Sequence, residues 1–246
     1  MQNIAPERRL ILALDTPDRE SAIDLVRRTR SAISCYKVGL ELFSAQGPSF
    51  LQWLRRENVD VFLDLKLHDI PNTVKGAVAQ AARLGVRFLT VHALGGSEML
   101  RAAQMARSEQ TVLPGVEATR LLAVTVLTHH SPQSLAELGL PSNPEQVAER
   151  LVTLARTSGI DGCVCSPQEI ATIRAAMGED FLIVTPGVRP AGSPAGDQTR
   201  IATPFEAIRD GADYLVVGRP IRTAAEPEKV AHAIVDEIRA GLEARG

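Results

Sequence analysis

The segment FLDLKLHDIPNTV, residues 62–74, contains the transition from a buried strand to a helix. Its first half is rich in apolar residues with high strand propensity, and Pro71 is typical of the first turn of a helix. Yet Asp64, Lys66 and Asp69 lie within six residues of one another, where a buried strand should carry apolar side chains. This combination predicts a strand whose end opens onto a polar site.

The same strand-to-helix unit recurs along the whole chain. Eight short apolar runs are continuous rather than alternating, which is typical of strands covered on both faces in a parallel sheet. The predicted strands are residues 9–15, 34–38, 59–66, 86–92, 121–127, 162–165, 181–185 and 214–217. The predicted helices between and after them are residues 20–30, 49–57, 73–84, 98–108, 145–158, 167–177, 204–210 and 228–242.

Eight such units in 246 residues match the count and size of a (β/α)8 TIM barrel. We therefore predict a single barrel domain that spans residues 1–246. A doubly wound open sheet is the alternative, although that fold would not need eight regular units. The Pro- and Gly-rich stretch 186–196 follows a strand and predicts a loop rather than a domain boundary.

The composition narrows the classes of partner. Basic and acidic residues number 27 and 29, so the net charge of −2 gives no support for a nucleic-acid or membrane partner. The N-terminus lacks the apolar run of a signal peptide, which predicts a cytoplasmic protein. The three cysteines fit neither a disulfide framework nor a zinc site, so we expect them to be buried as small apolar residues.

A barrel places its active site at the carboxyl ends of its strands, so polar residues at those ends are candidates for chemistry. Asp15, Lys37, Asp64 and Lys66 all occupy such positions. Asp64 and Lys66 are two residues apart on one strand, which predicts side chains on the same side. The combination indicates a general acid held beside an anion; the alternative is a solvated ion pair that contributes little.

A second group of polar residues follows the last two strands, where barrels commonly bind phosphate. Arg189 lies two residues after Gly187, and Gly218 directly precedes Arg219, so backbone N–H groups and guanidiniums would both be available. The loop 186–200, which contains Gln198, is long for a connection of this kind and is typical of a lid. The alternative is a pair of ordinary turns.

The sequence contains no histidine and cysteine spacing typical of a metal site, so we predict no metal. A Mg²⁺ held by two aspartates stays open on spacing alone.

Taken together, these motifs resemble those of the orotidine 5′-phosphate decarboxylases, which make UMP in pyrimidine biosynthesis. LDLKLHDIPNTV at 63–74 is similar to the signature of that family, and its continuation beyond D-x-K-x-x-D is specific to it. The other matching stretches, in order along the chain, are LALD at 12–15, YKVGLEL at 36–42, VTVLT at 124–128, TPGVRP at 185–190, DQTR at 197–200 and LVVGRPI at 215–221.

The resemblance implies a role for each residue of the first group. Lys66 is then the proton donor to C6 of the substrate, and Asp64 lies against the carboxylate that leaves. Lys37 joins them in a charged chain that reaches the ribose hydroxyls, and Asp15 also contacts the ribose. Catalysis would need no cofactor.

The resemblance also implies a homodimer with active sites at the subunit interface. Asp69 and Thr73 would reach into the site of the partner subunit, and Thr128 would lie at the pyrimidine. The phosphate of orotidine 5′-phosphate would be bound by the residues Arg189, Gln198, Gly218 and Arg219.

Two other functions are compatible with parts of this pattern. The first is a Mg²⁺-dependent relative with the same D-x-K-x-x-D core, such as a hexulose-phosphate synthase or a ketogulonate-phosphate decarboxylase. The second is a non-catalytic nucleotide-binding regulator on a barrel scaffold, although retention of Lys66 with both aspartates disfavours it.

Overall fold

The computed structural model describes residues 4–110, 117–190 and 202–245, and these form a closed barrel of eight parallel strands. Each strand pairs with the next along the chain, and the first pairs with the eighth. The predicted TIM barrel is confirmed. The strands are β1 (Leu10–Ala13), β2 (Cys35–Gly39), β3 (Asp60–Leu67), β4 (Phe88–His92), β5 (Arg120–Val124), β6 (Gly162–Val164), β7 (Leu182–Pro186) and β8 (Tyr214–Val217).

All eight predicted helices are present, with ends that differ from the predicted ones by a few residues. Proline begins several of them, as expected for a residue whose missing N–H costs nothing in the first turn. The helices are α1 (Arg19–Thr29), α2 (Leu40–Gln46), α3 (Pro48–Arg56), α4 (Pro71–Arg83), α5 (Gly96–Ser108), α6 (Pro132–Glu137), α7 (Pro144–Thr157), α8 (Ile170–Met177), α9 (Pro204–Arg209), α10 (Arg219–Arg222) and α11 (Pro227–Arg245).

The short helices α2, α6 and α10 were not predicted. They have 7, 6 and 4 residues, which leaves little apolar periodicity to recognise in the sequence, although α9, with 6 residues, was predicted. The first part of the predicted helix 167–177 is a 3₁₀ turn, Pro167–Glu169, that leads into α8.

The apolar core has two layers, which explains why the strands read as continuous apolar runs. On β1, Ile11 and Ala13 point into the barrel, whereas Leu10 and Leu12 pack against the helices outside. Both faces of each strand are therefore removed from water, and burial of this apolar surface is the main favourable contribution to folding. The three cysteines are unpaired and buried within these layers, as predicted.

Within the described ranges, no helix combines the length and the apolar character needed to cross a bilayer.

Candidate active site

Four charged side chains form a continuous chain across the carboxyl ends of β1, β2 and β3. Lys37 Nζ lies 2.9 Å from Asp15 Oδ1 and 3.8 Å from Asp64 Oδ2. Lys66 Nζ lies 2.9 Å from the same Asp64 Oδ2. The charges alternate in sign, so each one is stabilised by its neighbours. The structure thus brings together all four residues that the sequence placed at strand ends.

Solvent exposure changes along this chain. The side chain of Asp64 is 14% exposed and that of Lys66 is 32% exposed, whereas Asp15 lies on the rim and is half-exposed. Asp64 is consequently the least hydrated carboxylate of the group, and two ammonium groups converge on one of its oxygens. Interactions between charges are stronger in such a partly dehydrated place than in bulk water.

Asp64 and Lys66 do not meet by simple strand alternation. The pairing of β3 with β4 shifts register between Leu63 and Leu67, and Lys66 has a φ of 50° in the left-handed region. That conformation is unfavourable for a residue with a Cβ, and strained residues of this kind cluster at functional sites. The contact predicted between the two side chains is present, but a bulge in β3 produces it.

Two glycines leave room for the charged chain. A Cβ atom at Gly39 would lie only 3.1 Å from Lys37 Nζ, so any larger residue would press on that ammonium group. A Cβ atom at Gly218 would lie 3.8 Å from Asp15 Oδ2, which places the turn after β8 beside the same aspartate. The two predicted groups of site residues are therefore adjacent at one end of the barrel.

His92 lies at the end of β4, beside the charged chain. Its ring stacks on that of His68 with 5.3 Å between centroids. Burial, followed by the positive charges of His68 and Lys66, lowers the pKa of His92 to about 4. Its Nδ1 accepts a long hydrogen bond of 3.4 Å from Leu94 N, which also requires an unprotonated nitrogen. His92 is thus neutral at neutral pH.

The predicted phosphate-binding arginines lie close to each other. Arg189 is buried after β7, with its Nη1 donating to Val188 O at 3.1 Å. Burial and the nearby positive charge of Arg219 lower the pKa of Arg189. Two like charges held together in this way favour an anion between them. Gln198, which was also predicted to bind the phosphate, lies outside the described residues.

The residues predicted to cross a subunit interface lie on the outer rim. Asp69 is exposed and its Oδ1 accepts from Ile70 N at 2.6 Å, while Thr73 is exposed in the first turn of α4. Thr128 is half-buried in the loop after β5. All three are at the same end of the barrel as the charged chain, since they follow the carboxyl ends of β3 and β5.

Thr90 is a member of the site that the sequence analysis missed. Its Oγ1 accepts from Lys66 N at 2.8 Å and donates to Asp64 Oδ1 at 3.0 Å. The available signal was its position two residues before His92, on the same side of β4. Within the described part of the chain, no group of three or more His, Cys, Asp or Glu residues could hold a metal ion.

Comparison with known proteins agrees with this geometry. Residues 8–234 match the model of the orotidine 5′-phosphate decarboxylase / HUMPS family. A relative named orotidine 5′-phosphate decarboxylase from Nostoc sp. is 49% identical over 94% of this chain and 97% of the relative. A protein of the same name from Nitrosospira multiformis is 51% identical over 89% of each chain.

A solved structure also matches. The crystal structure of orotidine 5′-phosphate decarboxylase from Lactobacillus acidophilus superposes with a TM-score of 0.83 and 37% identity, covering 95% of this chain and all of that one. Because the family match spans most of the barrel and every described strand, the chain belongs to the orotidine 5′-phosphate decarboxylase / HUMPS family.

Proposed function

We propose that this chain, as a single barrel domain of residues 1–246, decarboxylates orotidine 5′-phosphate to UMP without a cofactor, and that Lys66 protonates C6. The observation that carries the proposal is the shared oxygen: Asp64 Oδ2 lies 2.9 Å from Lys66 Nζ and 3.8 Å from Lys37 Nζ. A proton donor and a carboxylate are therefore fixed side by side. The relatives of this name from Nostoc sp. and Nitrosospira multiformis are 49% and 51% identical to the chain.

The arrangement suits a reaction that forms a carbanion with no cofactor to delocalise it. The bond between C6 and the carboxylate breaks, the electron pair stays on C6, and CO₂ leaves. The ammonium group of Lys66 stabilises the developing negative charge and then transfers a proton to C6, which gives UMP. Lys66 regains its proton from solvent, to which its side chain is partly exposed.

Asp64 has two effects in this mechanism. It holds the Lys66 ammonium group through the 2.9 Å contact, so that the proton donor is already oriented for transfer to C6. Its negative charge also repels the substrate carboxylate, and this repulsion disappears when neutral CO₂ leaves. Lys37 and Asp15 then contact the ribose hydroxyls.

The phosphate contributes binding energy far from C6. Arg189, Arg219, Gln198 and the N–H groups near Gly218 bind it, and this energy can be used to order the site for the chemical step. Thr128 contacts the pyrimidine.

The proposal includes a homodimer in which Asp69 and Thr73 complete the site of the partner subunit. Two large apolar side chains on the same rim support it, since Leu40 is 57% exposed and Ile70 is 66% exposed. Both follow strands whose ends carry the charged chain. Exposed apolar groups beside an active site are typical of an interface.

The activity is tested by following the absorbance of orotidine 5′-phosphate in the presence and absence of EDTA. We expect equal turnover in both, because no step uses a metal. Loss of turnover in EDTA that Mg²⁺ restores would instead favour a metal-dependent relative. Absence of turnover both with and without EDTA would favour a nucleotide-binding regulator.

The shared site is tested by mixing two inactive variants, Lys66→Ala and Asp69→Ala. A mixed dimer has one site with both defects and one with neither, so a random equal mixture should recover about a quarter of the parental activity. The matched control is Lys66→Ala mixed with Asp64→Ala, two residues of the same subunit, which should recover none. Equal recovery, or no recovery, in both mixtures after verified subunit exchange would contradict the shared site.

A further inference from the structure

Thr90 occupies the point where the regular ladder between β3 and β4 is interrupted. Leu63 pairs with Leu89 and Leu67 pairs with Val91, so three residues of β3 lie opposite Thr90 alone. Those three include Asp64 and Lys66. The bulge that brings the two charged side chains together is therefore opposite a single residue of the neighbouring strand.

The Thr90 hydroxyl takes the place of the missing ladder hydrogen bonds. It accepts from the backbone N–H of Lys66 at 2.8 Å, and it donates its own proton to Asp64 Oδ1 at 3.0 Å. A hydroxyl group has one proton to donate and lone pairs to accept with, so both bonds form at once. Thr90 is fully buried, so bulk solvent does not compete for either bond.

Lys66 needs such an anchor because its backbone is strained. A φ of 50° is costly for a residue with a Cβ, and it persists only where surrounding contacts over-determine it. The bond from Lys66 N to Thr90 Oγ1 is a direct restraint on this peptide. The bond to Asp64 Oδ1 fixes the carboxylate rotamer, so that Oδ2 is directed at the Lys66 ammonium group.

We propose that Thr90 is a positioning residue for the decarboxylation. Its hydroxyl holds the left-handed backbone of Lys66 and the carboxylate of Asp64 in fixed positions relative to each other. It does so without contact with the reacting atoms. This inference rests on the proposed function, because it assigns to Thr90 the alignment of the proton donor.

The test compares Thr90→Val, which removes the hydroxyl at nearly constant volume, with Thr90→Ser, which keeps it. For Thr90→Val we expect kcat to fall about 100-fold with little change in KM, as is typical of misplacing a catalytic group by about 1 Å. Thr90→Ser should retain activity close to that of the parent. Equal losses in both variants would overturn the proposal, because the hydroxyl would not be the cause.

Thr119→Val is the matched control. Thr119 is also buried, and its hydroxyl donates to Val86 O at 2.7 Å near the opposite end of the barrel. Its replacement should lower thermal stability without lowering kcat. A similar fall in kcat in this control would show a general effect of lost stability and would contradict a specific role for Thr90.

A crystal structure of Thr90→Val gives a readout that does not depend on activity. We expect Lys66 to leave the left-handed region, or Lys66 Nζ and Asp64 Oδ2 to separate beyond 4 Å. Unchanged geometry would overturn the inference even if the parent decarboxylates orotidine 5′-phosphate. Lack of turnover by the parent is a different result, which removes the proposed function and this role with it. If Thr90→Val does not fold, Thr90→Ala against Thr90→Ser makes the same comparison.

Discussion

Charged clusters lie at both ends of the barrel, and they differ in how their polar groups are satisfied. Near the amino ends of the strands, Asp213 Oδ2 accepts from Arg174 Nη2 at 2.6 Å and from Ile183 N at 2.8 Å. Arg9 Nη1 donates to Asp213 O at 3.1 Å. The Asp213 side chain is only 2% exposed. This buried cluster ties chain segments together through backbone bonds.

The guanidinium of Arg174 also forms hydrogen bonds with the backbone of several chain segments. Besides Asp213, it donates to the backbone carbonyls of Gly178, Gly211 and Phe181. A buried charge of this kind is tolerated because its hydrogen-bonding groups are used by fixed partners.

The cluster at the carboxyl ends is built differently. Among the described residues, the hydrogen bond and the ion pair of the Lys66 ammonium group are both made with Asp64. Its backbone is strained and its side chain is partly exposed. The first cluster is bound by buried protein partners, which indicates that it stabilises the fold, whereas the second has a strained backbone and is accessible from solvent. The amino-end face of TIM barrels usually has the stabilising role.

The largest expected effect is that of Lys66→Ala on catalysis. Turnover of orotidine 5′-phosphate should fall by many orders of magnitude, because the group is both proton donor and counter-charge, while thermal unfolding stays close to that of the parent. Steady-state assays and circular dichroism measure the two quantities. The control is Lys229→Ala, another lysine in an ion pair, which should change neither. A loss in Lys66→Ala within about tenfold, only about 1.4 kcal/mol of barrier, would contradict the assignment.

The opposite outcome is expected for Asp213→Ala. Removing one partner of a buried charge pair leaves Arg174 uncompensated, which should lower the free energy of unfolding by about 3–5 kcal/mol. Turnover at a temperature where the variant is folded should be retained. Urea unfolding measures the first quantity.

The surface pair Asp236–Arg239 gives the control for that experiment, since Asp236→Ala should cost at most about 1 kcal/mol. If Asp213→Ala abolishes turnover while the protein remains folded, the assignment of a stabilising role to this cluster is contradicted.

Arg189→Ala should have a smaller effect that depends on the substrate. We expect kcat/KM for orotidine 5′-phosphate to fall about 10- to 100-fold, the scale of a lost hydrogen bond to a charged group. The slow reaction of orotidine, which lacks the phosphate, should barely change, and Arg219→Ala should behave similarly. Measurement of kcat/KM for both substrates decides: equal losses would mean that these arginines act on the ring or on the fold.

The last expected effect is the pH dependence of the free energy of unfolding that His92 confers. Its pKa in the folded protein, about 4, is below the unfolded value of about 6.5. As pH falls from about 6.5 to about 4, His92 is protonated in the unfolded chain but not in the folded protein. The free energy of unfolding therefore decreases across this window and does not decrease further below it.

His92→Asn removes the titrating group, and the Asn side chain can still accept from Leu94 N, as His92 Nδ1 does. Chemical denaturation from pH 7 to pH 4 should therefore be flatter for this variant than for the parent. The groups that face His92 are His68, Lys66 and His130, and they are unchanged in the comparison. Parallel curves would contradict the inference that burial keeps His92 neutral.

Much of the fold was predictable because its determinants are local. Continuous apolar runs identified all eight strands, and amphipathic segments, several of them beginning at proline, identified eight of the helices. The short helix α10 was not predicted, since four residues beginning at Arg219 contain no complete period. It places Arg219 at its first residue, directly after Gly218.

The candidate site was predictable to a lesser extent. Asp15, Lys37, Asp64 and Lys66 could be grouped because parallel strands of a barrel end at the same face. Thr90 could not be assigned a role, because its partners are 24 and 26 residues away along the chain. Nothing local in the sequence of β4 specifies which backbone group the hydroxyl will meet.

The sequence by itself determined the order of the strands and helices, the apolar layers and the identity of the charged residues at the strand ends. Each of these depends on side-chain periodicity and on the conformational preferences of proline and glycine, which act over a few residues. Only the tertiary structure decided the bulge in β3, the left-handed backbone of Lys66 and the orientation of Asp64. These depend on the register between β3 and β4, and that register is a property of two strands from separate parts of the chain, so no short stretch of sequence specifies it.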